Sequence, residues 1–175
     1  MDIIRILLQI ATPAILAIGL WLTLRQLRLL RQSYVDQHDW NRRKAAQDAI
    51  QTTQKSIGED TPLLNEKFQV MTSYDTIPLD QIRDECDADP KVRMAIHRRL
   101  NTFEELAVGV HQGVFDEDVL NAAYKEVFRR TRNRFREYID HRRSIGTDAA
   151  WKEFDNLTQE WVQQPHQRRP PIAQP

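Results

Sequence analysis

Between Ile6 and Leu24 the chain reads ILLQIATPAILAIGLWLTL, 19 residues without a formal charge. At ~1.5 Å of rise per residue a helix of this length covers roughly 28 Å, close to the ~30 Å hydrocarbon core of a bilayer. Ile3 and Ile4 can extend it if the Arg5 side chain snorkels outward. Gln9, Thr12 and Pro13 interrupt the apolar run, but a membrane helix tolerates Pro where Ser or Thr side chains satisfy the freed carbonyl. Trp21 lies near the far end, where aromatic rings favour the interface. A cleaved leader has a basic start and a small-residue cleavage site. Here the charge sits behind the run, in Arg25, Arg28 and Arg31. The asymmetry predicts a retained transmembrane anchor over residues 1–24, the amino terminus outside and the rest cytoplasmic.

The 25 basic residues balance the 25 acidic ones, so no global field draws the chain to nucleic acid, and charge arguments are regional. Behind the run, Arg25, Arg28, Arg31, Arg42, Arg43 and Lys44 outnumber Asp36 and Asp39, and these six are candidate contacts for anionic lipid headgroups. From Ala45 to Pro90 three basic residues face ten acidic ones; from Lys91 to Gly146 twelve face eight. A single cysteine, Cys86, closes no internal disulfide and fits a reducing compartment.

Periodicity beyond the anchor is helical throughout, and no segment alternates as a strand would. Leu24 to Ile57 lacks Pro and Gly, and Gly58 offers a stop, so residues 25–57 are predicted to form a solvated basic stalk. Asp60, Thr61 and Pro62 predict a new helix start, with Leu64, Phe68 and Met71 on one face. Thr76, Ile77 and Pro78 predict another, burying Leu79, Ile82 and Cys86. Asp89 and Pro90 open a helix with the stripe Val92, Ile96, Leu100, Phe103, Ala107 and Val110, ended by Gly113. Asp116 opens the next, predicted to run unbroken to about Arg143 along Leu120, Tyr124, Val127, Thr131, Phe135 and Tyr138. A last helix carries Trp151, Phe154, Leu157 and Trp161 and covers the seam of this antiparallel hairpin. Residues 58–163 thus read as one helical domain, and the Pro-rich residues 164–175 as a disordered tail.

Two polar groups are candidates for chemistry. His97, Asn101, Glu104 and His111 fall at i, i+4, i+7 and i+14, a polar line beside the apolar stripe, with Glu105 next to it. A carboxylate near two imidazoles serves acid–base chemistry or a metal. The two histidines are, however, roughly 21 Å apart along the helix and cannot share an ion unaided. Hydrogen bonding along the helix flank is the favoured expectation for this line, with Glu104 or Glu105 pairing with an arginine of the neighbouring helix. Arg129, Arg130, Arg132, Arg134 and Arg136 crowd one helix, and Arg129, Arg132 and Arg136 are its candidate contacts for a phosphate or lipid. They are spread around the helix, with Glu126 and Asp140 at pairing distance in sequence, which favours a charge network or membrane-facing patch over nucleic-acid recognition. No Walker loop, GxGxxG turn, nucleophile elbow, HExxH or CxxC pair occurs, so no cofactor is expected and catalysis is disfavoured.

The stretch from Leu100 to Val162, LNTFEELAVGVHQGVFDEDVL with an Arg-rich helix and a closing EFDNLTQEWV, resembles an uncharacterised bacterial family known as a domain of unknown function. The resemblance implies a membrane-anchored, all-helical protein and carries no activity, cofactor or catalytic residue with it. The fold expected is therefore all-α: a transmembrane helix, then a cytoplasmic bundle built on a long antiparallel hairpin. The function expected is that of an interaction or scaffold module at the inner face of a bacterial membrane, binding lipids and either a protein partner or itself. The alternatives are a membrane-tethered enzyme using the polar line, and a soluble helical oligomer with a buried first helix.

Overall fold

The computed structural model describes residues 2–146 and 149–163, with side chains from residue 19 onward. All secondary structure among them is helical: α1 (Asp2–Phe68), α2 (Leu79–Ala88), α3 (Pro90–His111), α4 (Glu117–Arg134), α5 (Arg136–Ser144) and α6 (Lys152–Gln163). The chain divides into a first unit, Met1–Asn41, and a second, Arg42–Pro175. No helix among the described residues is long and apolar enough to cross a membrane. Residues 2–24 of the predicted span belong to α1, with their side chains described only from residue 19, and the predicted tail at 164–175 lies outside the described residues.

In the first unit, Leu20, Leu24, Leu27 and Tyr34 recur at i, i+4, i+7 and i+14 on α1, and all are exposed, Tyr34 at 73%. Trp21 is also exposed and stacks under the Arg25 guanidinium, 5.5 Å from ring centroid to Cζ.

The second unit owns the core. Two helix starts follow the expected capping chemistry. The Asp89 carboxylate accepts from Lys91 N–H at 2.9 Å with Pro90 at the first helical position, and Asp116 accepts from Val119 N–H at 3.2 Å. Four aromatic rings form the centre: Phe103, Phe128 and Phe154 are mutually packed, and Trp161 lies 5.0 Å from Phe128. α6 makes the most extensive contacts with both α3 and α4. It is thus the hub of the bundle rather than a cover laid over a finished hairpin.

Three expectations are corrected. The start predicted at Asp60–Pro62 does not exist, because α1 runs through Gly58 and Pro62 to Phe68. An interior Pro costs ~3 kcal/mol through a lost hydrogen bond and a clash. Burial of Leu64 and Phe68 on the following turns offsets it. Two bonds to α3 hold the same turn: Arg98 pairs with Asp60 at 3.1 Å, and buried Arg99 donates to Thr61 Oγ1 at 2.7 Å. Burial pulls the Arg99 guanidinium down to about 10, against the opposing pull of Asp60. α1 ends where Gln69 adopts φ +52°, and the Met71 of the predicted stripe is exposed.

The predicted helix from Asp116 to Arg143 is broken at Phe135. The Arg134 carbonyl accepts from Ile77 N–H at 3.0 Å, and its side chain donates to the carbonyls of Asp75 (2.8 Å) and Phe68. The loop 69–78 thus takes the hydrogen bond that a continuous helix would have used. Finally, Val127 is exposed and its neighbour Phe128 is fully buried, so the core face of α4 lies one residue over from the predicted stripe at that turn.

Candidate functional site

The polar line on α3 is brought together with α6 and the segment before it. Glu104 accepts from two backbone N–H groups in the first turn of α6, Glu153 at 3.2 Å and Phe154 at 2.8 Å. A carboxylate there satisfies donors that a helix start leaves open and meets the positive end of the helix dipole. Asn101 Oδ1 accepts from Trp151 Nε1 at 2.8 Å. His97 Nε2 lies 2.6 Å from Tyr138 Oη, its ring edge-on to Trp151. His111 reaches Glu153 at 2.6 Å and Glu160 at 3.6 Å. Glu104 and His111 therefore hold α6, Asn101 holds the turn before it, and His97 meets α5. Their partners lie on α5, α6 and the turn before α6, not among the neighbouring arginines.

Such an arrangement disfavours acid–base chemistry at the line itself. Both Glu104 oxygens are occupied by main-chain donors that nothing in a reaction displaces. Burial, then the charges of Arg142 and Arg93, hold the His97 imidazole below its usual range, which favours the neutral ring. Burial raises the Tyr138 phenol. Among the described residues no three His, Cys, Asp or Glu side chains converge as a metal site requires. Glu105 stands apart from the line, on a cleft between α1 and α3.

The arginines of α4 and α5 divide the same way. Arg132 and Arg143 both grip Asp155 of α6, the latter at 3.2 Å. Burial pushes the Asp155 carboxyl up, but hydrogen bonds and charge from Arg132 and then Arg143 outweigh it and hold the group below the usual carboxylate range. Arg129 pairs with Glu126 at 2.8 Å, and Arg130 stacks on Tyr74 at 4.3 Å while donating to the Met71 carbonyl. Arg136 faces Asp140 at 3.8 Å, both exposed, a pair worth little in water. Of the candidate phosphate contacts, Arg129 and Arg132 are thus spent inside the unit.

The six candidate lipid contacts fall into two sets. Arg25, Arg28 and Arg31 are exposed in the first unit. Arg42 and Arg43 instead bind the turn between α3 and α4: Arg42 donates to the Phe115 carbonyl at 3.2 Å, and Arg43 pairs with Asp116 at 3.3 Å. The Asp116 N–H in turn reaches the Arg42 carbonyl at 3.3 Å, and Lys44 has its own interactions in the structure.

One structural pair escaped the sequence reading. Gly109 sits inside α3 because a Cβ there would run into the Phe115 ring, and its carbonyl accepts from Val114 and Phe115 N–H at 2.9 and 3.1 Å. A Gly in the middle of a strong apolar stripe was the available signal.

No curated protein and no solved structure matches the chain. The sequence pattern of one family, described as Domain of unknown function (DUF4760), matches residues 13–161, across both units and every contact of the polar line. With most of its length covered by that match, the chain belongs to the DUF4760 family.

Proposed function

We propose that the protein is a single-pass, membrane-anchored helical interaction module on the cytoplasmic side of a bacterial inner membrane, with its amino terminus outside. One observation carries this reading: residues 20–34 of α1 expose Leu20, Trp21, Leu24, Leu27, Leu30 and Tyr34 beside the exposed Arg25, Arg28 and Arg31. An apolar surface studded with arginines is unfavourable in water and suits the boundary between lipid tails and anionic headgroups. The uncharged run Ile6–Leu24 overlaps the start of this surface and has the length of a span. The polar residues of α3 and α4 are engaged in holding α6, which leaves the second unit better suited to presenting a surface than to performing a reaction. Anchoring would raise its local concentration at the membrane, so that weak contacts become occupied.

Carbonate extraction of membranes carrying the full chain tests the anchor: the protein is expected to remain in the pellet, and a variant lacking residues 1–24 to leave it. Recovery of the intact chain in the soluble fraction without detergent overturns the reading and favours an oligomer that hides the same apolar face. Orientation is tested by thiol labelling, but Cys86 is buried and a poor reporter. Ala122→Cys in a Cys86→Ala background puts a thiol on an exposed position of α4. Labelling only after permeabilisation is expected, and labelling in intact cells overturns the topology.

A further inference from the structure

In the second unit most charges near the core are committed to a partner, but Glu105 has none among the described residues. It borders a cleft of about 290 Å³ between two helix faces. Thr52, Thr53 and Ser56 contribute from α1, Thr102 and Leu106 join Glu105 from α3, and Phe115 also lines the cleft. Thr52 donates to the carbonyl four residues back, Asp48, at 3.0 Å, as helical threonines often do. Thr53, Ser56 and Thr102 do not, and no described residue hydrogen-bonds their hydroxyls, although Thr53 is only 4% exposed. Of the three only Thr53 is buried, Ser56 and Thr102 being half-buried and Glu105 exposed, so the cleft offers one sheltered hydroxyl without a protein partner beside two more and a lone carboxylate, acceptors that favour an outside donor.

The chemistry of the lining selects that donor. Glu105 is the only formal charge on the cleft, which disfavours anions. One carboxylate is too few for a dedicated divalent-cation cage. A primary ammonium brings three N–H donors, enough for one carboxylate and two hydroxyls, and its alkyl chain would lie against Leu106 and Phe115. We propose that this cleft binds a primary alkylammonium group, Glu105 accepting one N–H and pairing with the charge, and two of the three hydroxyls of Thr53, Ser56 and Thr102 accepting the other two donors. The group would belong either to a free small amine or to a lysine side chain of a partner. The inference is independent of how the protein meets a membrane.

Calorimetric titration of the full chain in mild detergent tests it, with n-butylammonium chloride and N-acetyl-lysine methylamide as probes and sodium butyrate as the control. Saturable binding of the ammonium probes is expected, at least tenfold weaker in Glu105→Gln, several-fold weaker in Thr102→Val and unchanged in Glu126→Gln. Glu105 and Thr102 make no bonds that hold the fold, so an unchanged circular dichroism spectrum accompanies each loss. Tighter binding of the lysine probe assigns the site to a partner's side chain; tighter binding of butylammonium assigns it to a free amine. Absence of saturable binding, equal binding of butyrate, or a Glu105→Gln variant that binds as well as the parent overturns the proposal.

Discussion

Residues 20–40 and the bundle of α3, α4 and α6 are both helical and both rich in large apolar side chains, yet they use them in opposite ways. In the bundle, Phe103, Phe128, Phe154, Leu157 and Trp161 are buried against one another. On the early part of α1, Leu20, Leu24, Leu27 and Tyr34 have the same helical spacing and are exposed. The contrast separates two sources of helix stability. The bundle is held by tertiary packing, whereas the first unit relies on local propensity from Leu, Arg and Gln and on freedom from Gly and Pro between residues 20 and 57.

That division is broken most directly at its strongest point. Phe128→Ala should cost about 3–5 kcal/mol in urea unfolding of the second unit, since the ring is fully buried and touches four other aromatics. A loss below ~1 kcal/mol would mean that the bundle is not packed as described. Gly109→Ala is expected to cost about 1–3 kcal/mol by forcing Phe115 aside, less whatever the better helix former returns. Glu104→Gln keeps the shape but removes the charge facing the start of α6, and a loss of about 1–2 kcal/mol is expected in the same assay, with α6 amides exchanging first by hydrogen exchange.

A pH effect follows from His97. Its folded pKa lies below the ordinary value, so the native state binds fewer protons than the unfolded one as the pH falls through about 6.5. Stability contributed by the neutral ring is therefore complete above that pH and declines below it, down to the folded pKa. His97→Gln should flatten this part of the pH–stability curve, while the contribution of Asp155, whose folded pKa is depressed, persists until the pH drops below about 4. The smallest effect is expected at Leu27→Ser in the first unit: unfolding of the bundle should change by less than about 0.5 kcal/mol. If membrane association falls in that variant while bundle stability is unchanged, the comparison is sharpened into a division of labour.

Much of the bundle was legible because its signals are local. Asp89 with Pro90, and Asp116, declare helix starts within a few residues, and the Trp151–Trp161 pattern declares α6. What was hidden depends on distant partners. Nothing near Pro62 says that Arg98 and Arg99, some 38 residues on, will hold the helix together there. Nothing near Phe135 says that Ile77 will claim the Arg134 carbonyl. The polar line was visible as a spacing. The partners of Glu104 were not visible because they are main-chain N–H groups, which carry no residue-specific signature, and the side-chain partners of His97, Asn101 and His111 lie 41, 50 and 42 residues further along the chain. The cleft at Glu105 was illegible for a related reason: Thr53 and Ser56 look like ordinary polar helix residues until Thr102 is set opposite them.

The Glu104 carboxylate also sets an order of events. α3 precedes α6 in the chain, so during synthesis the acceptor for the Glu153 and Phe154 amides emerges first, and the last helix meets its docking groups as soon as it appears. A circular permutant that placed residues 149–163 ahead of α3 would keep every contact of the finished molecule but make the final helix wait, its first-turn amides open to water and to other chains until α3 arrived.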